Sequence, residues 1–483
     1  MQLPTDRKNL RLYGDHTRVI GRFFWAGKER AVILVQKIID MDKVEARNIL
    51  MRTLRDFARR HRNIMGIWTR HLSAVKERVP ELREQIEELS ENKQALIGAY
   101  FTHEYSIESA AFFNPSIVPA LDQSDLRAGE LRAVMSMRAV GEGHVSSIVF
   151  RNLIISADHH VEAEKVNEFV SIADDVHYKV YRRADFRAQL SKDGIVDQEV
   201  VKIILERLPE QFNYITLYNK YRELINSHND QKNILDKVLR LGDVYYEGEF
   251  DLDTDISERV LYPMLEYESR GMEDARFLQF TKEDGSTVYY GTYTAYNGFT
   301  IRPMLVETHN FYDFKIRPIY GNATVNKNHA IFPRKINGHY YVLARIDGIN
   351  NYIIKSDKLQ EWNDAQLLMT PKYYWEMYQM GNCGAPIETD RGWLMITHGV
   401  GTMRKYSIGA ALLDLDDPTK VIGRLEEPLL SPLESEREGY VPNVLYSCGS
   451  LIHNGKLFLP FGISDEAASF ASVDVDQLLD AMV

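Results

Sequence analysis

Alternation and periodicity divide the chain into three regimes. Over 29–100 the apolar residues Val44, Ile49, Met51, Leu54, Phe57, Ile64, Met65 and Trp68 recur close to every 3.6 positions amid Arg, Lys and Glu. That is the pattern of amphipathic helices. A further helical run, ELREQIEELSENKQALIGAY, follows Pro80. From about 101 the period drops to two: LRAVMSMRAVG and HVSSIVFRNLII alternate around GEG, and VHYKVYRR continues in the same style. Such runs predict short strands. A second helical interruption, VDQEVVKIILERLPEQFNYITLYNKYRELIN, falls within 185–240. Beyond it strand-like runs continue almost to the end, from VLYPMLEYE through TVYYGTYTAYN to GKLFLPFGISD, with EDGS, INGH and HNGK as hairpin turns between them. Many short strands with little helix predict a sandwich, barrel or propeller. An apolar strand, a polar-Gly turn and a Tyr-rich strand recur at about the spacing of propeller blades. The expected organisation is an N-terminal helical region, 1–100, before a β-domain, 101–483, with a helical insertion at about 185–240.

Composition narrows the partners. The 483 residues are 45% hydrophobic and carry a formal charge of −11. This is an ordinary globular balance with a mild acidic excess, which disfavours duplex nucleic acid or an anionic membrane as partner. Bases at Arg59, Arg60 and Arg62 are interleaved with acids, so the helical region is expected to serve scaffolding or homo-oligomerisation. Its apolar stripe is expected to pack on the β-domain or on a second subunit. The start, MQLPTDRKNLRLYGD, has no apolar signal core, and no stretch is long enough to span a bilayer; a cytoplasmic protein is expected. Two cysteines, Cys383 and Cys448, leave no disulfide framework and no Cys-rich metal site. Tyr (27) and Phe (20) concentrate beyond 240, which suits a sugar-binding surface and any large β-protein equally.

No phosphate-binding Gly loop, zincin motif or serine-nucleophile elbow is present, and His309, His329, His339, His398 and His453 are scattered singly, so no metal or cofactor is expected. Polar residues at strand ends and turns are the candidates: Arg138, Glu142, Asp274, Lys327, Arg345, Asp347, His398, Tyr406 and Asp465. In a propeller such positions converge on the central channel. Carboxylates there suit acid–base work, and cations suit an anionic ligand. The plainer reading pairs Arg345 with Asp347 and leaves the rest as solvated loop residues. The stretch GMEDARFLQF poses the same choice, because a Glu-Asp pair before a strand is either a turn device or a held catalytic carboxylate.

GMEDARFLQF, GTYTAYNG, NKNHAIFPRKINGHYYVLARID, GNCGAPIETDRGWLMITHGV, SIGAALLDLDDP and LPFGISDEA together resemble glycoside hydrolase family 130, the β-mannoside phosphorylases and β-1,2-mannosidases. The likeness covers about 110–475 without the insertion and implies a five-bladed β-propeller with its active site in the central channel. It implies that Asp274 is the general acid of an inverting enzyme, donating its proton through the mannose 3-hydroxyl. Ala275 stands where the family motif has proline. Glu273, beside it, is expected to raise the pKa of Asp274 by like charge.

The same likeness sets Lys327, Arg345, His398 and Tyr406 in the region that holds phosphate in phosphorylases, although Gln379 replaces a usual lysine. Asp347 and Glu142 are the rival candidates, as a base activating water about 6.5–9.5 Å from the acid. Asn114, Arg138 and Asp465 are expected to hold the mannose, and Arg437, Tyr440 and Asn443 the acceptor side. The expected reaction is phosphorolysis of terminal β-mannosidic linkages, best β-1,2, in manno-oligosaccharides, with inorganic phosphate as co-substrate and α-mannose 1-phosphate as product. Hydrolysis of the same linkages is the alternative. A non-catalytic sugar-binding propeller would not need Asp274 together with the cations.

Overall fold

The computed structural model describes residues 3–173, 175–192, 194–225, 227–242 and 246–482. The protein is mainly β, as expected. Among the described residues, five four-stranded antiparallel meanders succeed one another along the chain. The first is Ala111–Pro119, Leu131–Val140, Ser146–Ile155 and Val161–Ala163. The second is Gly271–Thr281, Thr287–Tyr296, Ile301–Thr308 and Asp313–Pro318. Lys327–Ile331, Tyr340–Arg345, Asn351–Ser356 and Gln366–Met369 form the third. Gln379–Asn382, Gly392–Val400, Tyr406–Leu413 and Val421–Arg424 form the fourth.

The fifth begins with Leu445–Tyr446, Lys456–Ile463 and Ala467–Asp474. Its outer strand comes from the other end of the chain: Asp6–Arg7 pairs with Ala471 and Ser472. Leu12–Tyr13 adds to the same strand. Residues 6–13 thus join the last sheet although they precede the helices. A parallel bridge from Gly271 to Ser146 merges the first two meanders into one twelve-stranded sheet. No sheet among the described residues closes on itself.

Many of these strands are buried along nearly their whole length rather than at every second residue, so each meander has two apolar faces. The consequence is a set of cores between successive meanders. Phe150 of the first packs with Phe277 and Tyr289 of the second, and Leu278 and Phe280 of the second with Ile331 and Val342 of the third. Leu343 of the third meets Trp393 and Met395 of the fourth, and Ile396 and Ile408 of the fourth meet Leu459 and Phe461 of the fifth. Phe458 and Phe470 of the fifth then meet Phe112 and Met135 of the first. The leading strand of the first meander touches those of the second and the fifth.

The N-terminal helices span Lys28–Asp40, Lys43–Phe57, Ile64–Arg78, Arg83–Glu87 and Glu91–Tyr100. Asp42 caps the second through the N–H groups of Val44 and Glu45, and Asn63 caps the third through Gly66. The apolar run therefore belongs to two helices, each burying its own face. Ala46, Leu50, Ile64 and Trp68 are buried, whereas Val44, Met51, Phe57 and Met65 remain exposed. A ribbon of Val19–Phe23 and Thr102–Ser106 flanks them. Arg62 fixes this region to the β-domain with a paired contact to the buried Glu258 and a further bond to Asp253. In the insertion, Glu199–Arg207 and Lys232–Leu241 bury Val200, Ile204, Leu235 and Val238 in the core shared by the first two meanders. No described helix is long and apolar enough to cross a membrane.

Candidate active site

The leading strands of the first three meanders each break register at one place: between Phe113 and Ser116, between Glu273 and Arg276, and between Lys327 and Ala330. Within each break lies an Asn or Asp in the left-handed region: Asn114 at φ 52°, Asp274 at φ 55°, Asn328 at φ 69°. These two residue types tolerate that conformation because a short polar side chain bonds locally. A bulge also re-aims the side chain it carries. Three strands thus turn one polar side chain each toward a common centre. This settles the Glu-Asp pair as a bulge inside a strand, with Asp274 buried.

Around Asp274 the groups interlock. Asn114 Nδ2 donates to Oδ1 at 2.6 Å, and Arg138 Nη1 donates to the same oxygen at 3.1 Å. Arg138 Nη2 reaches Glu273 at 2.7 Å, and Lys327 Nζ reaches the other Glu273 oxygen at 2.6 Å. Arg276, fully buried, donates to the Asp274 carbonyl at 2.7 Å and to the Tyr446 hydroxyl at 2.8 Å. Burial alone lifts the Asp274 carboxyl, but Arg138, then Lys327 and Arg276, and the Asn114 bond hold it well below the usual carboxylate range. The expectation that Glu273 raises Asp274 is therefore corrected. Glu273 is neutralised between Arg138 and Lys327, and the cations dominate.

The third and fourth meanders supply the other half. Lys327 and Arg345 are direct cross-strand partners, an arrangement of like charges that disfavours pairing by itself. Arg345 Nη1 donates to His398 Nε2 at 3.4 Å, and His398 Nδ1 donates to the Asn382 carbonyl at 3.2 Å. Burial, then Arg345 and Arg276, push His398 well below its ordinary value. It is neutral, so within the region expected to hold phosphate it orients Arg345 and adds no positive charge. The ring lies across the Gly381 backbone, where any Cβ would sit 2.4 Å from it. Tyr406 stacks on His398 at 6.1 Å and receives a long bond, 3.4 Å, from Gln379. Arg138 Nε, Arg276 Nε, Arg345 Nε and Asn328 Oδ1 are buried without a partner among the described residues. These are groups that a bound polar ligand or water would satisfy.

Asp465, at φ 58° in the turn after Lys456–Ile463, is raised to about 7 by burial; Arg138 opposes this and Asp274 adds to it. Asp347 is exposed and spends its carboxylate on its own turn. It accepts from the N–H groups of Ile349 and Asn350, the Asn350 amide and the Tyr352 hydroxyl. Burial is the largest single influence and raises it, but these bonds together outweigh burial and hold it at about 2. It is a turn cap and a poor base. Glu142 is exposed in the turn before Ser146–Ile155. Tyr440 bonds His144 of that same turn at 2.8 Å. Arg437 is exposed, and its carbonyl accepts from Asn443 N at 3.2 Å. Asn328, Asn382 and Tyr446 escaped sequence reasoning. The one available signal was that Asn, like Asp274, stands at the same place near the start of successive leading strands.

The model of glycoside hydrolase family 130, described as β-1,4-mannooligosaccharide phosphorylase, matches residues 211–483. A 1,2-β-oligomannan phosphorylase of Thermoanaerobacter sp. (strain X514) is 36% identical over 218 residues, covering 44% of this chain and 71% of that protein. A β-1,2-mannobiose phosphorylase of Listeria innocua is 34% identical over 229 residues, 45% of this chain and 62% of that one. The solved Listeria innocua β-1,2-mannobiose phosphorylase, in complex with β-1,2-mannobiose, aligns over 78% of this chain and 93% of its own at 24% identity and a TM-score of 0.46. Because the family model spans more than half of the chain, including Asp274, Lys327, Arg345 and His398, this protein belongs to glycoside hydrolase family 130.

Proposed function

We propose that this protein is an inverting β-mannoside phosphorylase acting on terminal β-1,2-linked mannose of manno-oligosaccharides, with inorganic phosphate as co-substrate and no other cofactor. The observation that carries the reading is the charge of the site. Arg138 and Lys327 bond the carboxylates of Glu273 and Asp274, Arg276 bonds the Asp274 carbonyl, and Arg345, directly opposed to Lys327, has only the neutral His398 as its described side-chain partner. A phosphate dianion relieves that opposition through charge-assisted bonds. The similarity to phosphorylases of β-1,2-oligomannan and β-1,2-mannobiose supports the substrate class.

In this reading the five meanders are the blades of a five-bladed β-propeller. Asp6–Arg7 closes the ring on the fifth blade, and the leading strands line the axis. A phosphate oxygen attacks the anomeric carbon from the face opposite the glycosidic oxygen. The C1–O bond breaks as the new C1–O–P bond forms, and the Asp274 proton passes to the departing oxygen by way of the mannose 3-hydroxyl. The products are α-mannose 1-phosphate and the shortened acceptor. Arg138, Lys327 and Arg276 hold Asp274 ionised. Phosphate charge on Lys327 and Arg345 offsets that field, so loading phosphate prepares the acid for protonation. Asn114 and Asp465 are the mannose ligands, with Tyr440 and Asn443 toward the acceptor.

Incubating the protein with β-1,2-mannobiose, with and without inorganic phosphate, tests this. The expected result is α-mannose 1-phosphate plus mannose only when phosphate is present. Free mannose released at one rate in both conditions would overturn phosphorolysis in favour of hydrolysis.

A further inference from the structure

Tyr446, in the leading strand of the fifth meander, has its hydroxyl in the middle of the site with both lone pairs occupied. Arg276 Nη2 donates to it at 2.8 Å, and an arginine cannot accept. Asn328 Nδ2 also donates to it at 2.8 Å. The orientation of that amide is fixed by its other contact, because the same nitrogen faces the Asn382 carbonyl at 3.3 Å. An amide oxygen there would meet another oxygen. A phenol has one proton to give, and among the described residues no group accepts it.

The surroundings say where that proton goes. The Tyr446 ring lies 4.7 Å from His398 and 6.4 Å from Tyr406. Its hydroxyl is bonded on one side to the arginine that holds the Asp274 carbonyl and on the other to Asn328, next to Lys327. It is thus tied through Arg276 to the strand that carries the acid, through Asn328 to the strand that carries Lys327, and by ring contact to His398, the partner of Arg345. We infer that Tyr446 is a substrate-contacting residue whose hydroxyl donates a hydrogen bond to the bound phosphate, a neutral donor beside the cations. Burial pushes this phenol far above its ordinary value, so the proton stays on it throughout the working range. The inference rests on the phosphorolysis reading.

Tyr446→Phe removes the donor and keeps the ring. The expected result is a KM for inorganic phosphate raised about tenfold, as for one lost hydrogen bond to a charged group, with the KM for β-1,2-mannobiose within about twofold. Because Arg276 and Asn328 lose their acceptor, the variant is paired with a crystal structure of the unaltered protein soaked in inorganic phosphate. A phosphate oxygen about 2.7 Å from the Tyr446 hydroxyl is expected. Phosphate-dependent cleavage with an unchanged phosphate KM, or bound phosphate out of reach of Tyr446, overturns this inference alone. Phosphate-independent release of mannose by the unaltered protein overturns both.

Discussion

Two neighbouring arginines on paired strands, Arg138 and Arg151, serve two buried acidic clusters that resemble each other in composition and differ in completeness. Phe112 and Phe113 are consecutive in the leading strand, so their rings face opposite ways. Arg151 lies over Phe112 at 5.2 Å and Arg138 over Phe113 at 5.0 Å. On the Phe112 side, Glu108 accepts from Arg18 Nε at 3.0 Å, Arg151 Nη2 at 2.7 Å and Asp15 N at 3.0 Å. Arg18 spends its remaining nitrogens on the carbonyls of Asn167 and Ser257. On the Phe113 side, Arg138, Arg276 and Arg345 each keep a buried Nε without a partner among the described residues. The first cluster is finished by the protein and ties the N-terminal segment to the β-domain. The second is left for a ligand to finish. Composition does not separate structural from functional charge clusters; hydrogen-bond satisfaction does.

Breaking the two clusters should therefore give opposite signatures. Asp274→Asn is expected to lower kcat by about 10³- to 10⁴-fold, the upper range for losing a general acid, while the melting temperature stays within a few degrees. Calorimetry alongside a phosphate-dependent assay checks it, and activity within a few-fold of the parent would remove Asp274 from the chemistry. Glu108→Gln is the mirror image. It removes the carboxylate that Arg18 and Arg151 share and leaves Asp15 as their remaining nearby counter-charge, at about 3–5 kcal/mol of stability. The kcat of the fraction still folded should match the parent. Denaturant unfolding reads the first effect and active-site titration the second.

How far these clusters were legible in sequence follows from the same physics. The strands were visible because each meander buries two faces, so apolar residues fill them. The helices were visible because their period differs, although one apolar run proved to be two helices separated after Phe57. Asp6–Arg7 and Leu12–Tyr13 are two residues each, too short for any period, and their pairing to Ala467–Asp474 is non-local. Asp274 stood out because a Glu-Asp pair is out of place in a strand. Tyr446 did not, since one more Tyr in a chain with 27 carries no signal. Asp347 was a candidate base because an inverting hydrolase needs a second carboxylate, but an Asp followed by Gly-Ile-Asn caps its own turn as readily. His398 fell in the region expected to hold phosphate, and only its burial beside Arg345 and Arg276 shows that it is neutral.

The open cluster can itself be divided. Arg345→Ala removes the cation whose described side-chain partner is the neutral His398. The expected effect is about a hundredfold loss in kcat/KM for phosphate, the size of a charge-assisted contact. The mannobiose KM and the melting temperature should change little. An equal loss in both substrates' parameters would instead make Arg345 a structural partner of His398.

The smallest expected effect separates two carboxyls of the open cluster by pH. Asp465 is raised to about 7 by burial, with Arg138 opposing and Asp274 reinforcing, whereas an unfolded aspartate titrates near 4. Between those values the folded protein holds a proton that the unfolded chain has lost, so the unfolded state binds fewer protons and stability falls as pH rises. The contribution of Asp465 is fully present below about pH 4 and is lost as pH climbs through about 7. Asp274 runs the other way. Its depressed pKa contributes stability that is present above about 4 and lost on acidification. Asp465→Asn should therefore flatten the decline in melting temperature between about pH 4 and pH 7 and leave the acid limb in place. Asp274→Asn should soften the acid limb and, by removing its reinforcement of Asp465, narrow the decline toward neutrality without abolishing it, since burial is the larger cause. Melting curves of the parent and both variants across that range test the assignment. A decline toward pH 7 that persists in Asp465→Asn would place the raised carboxyl elsewhere.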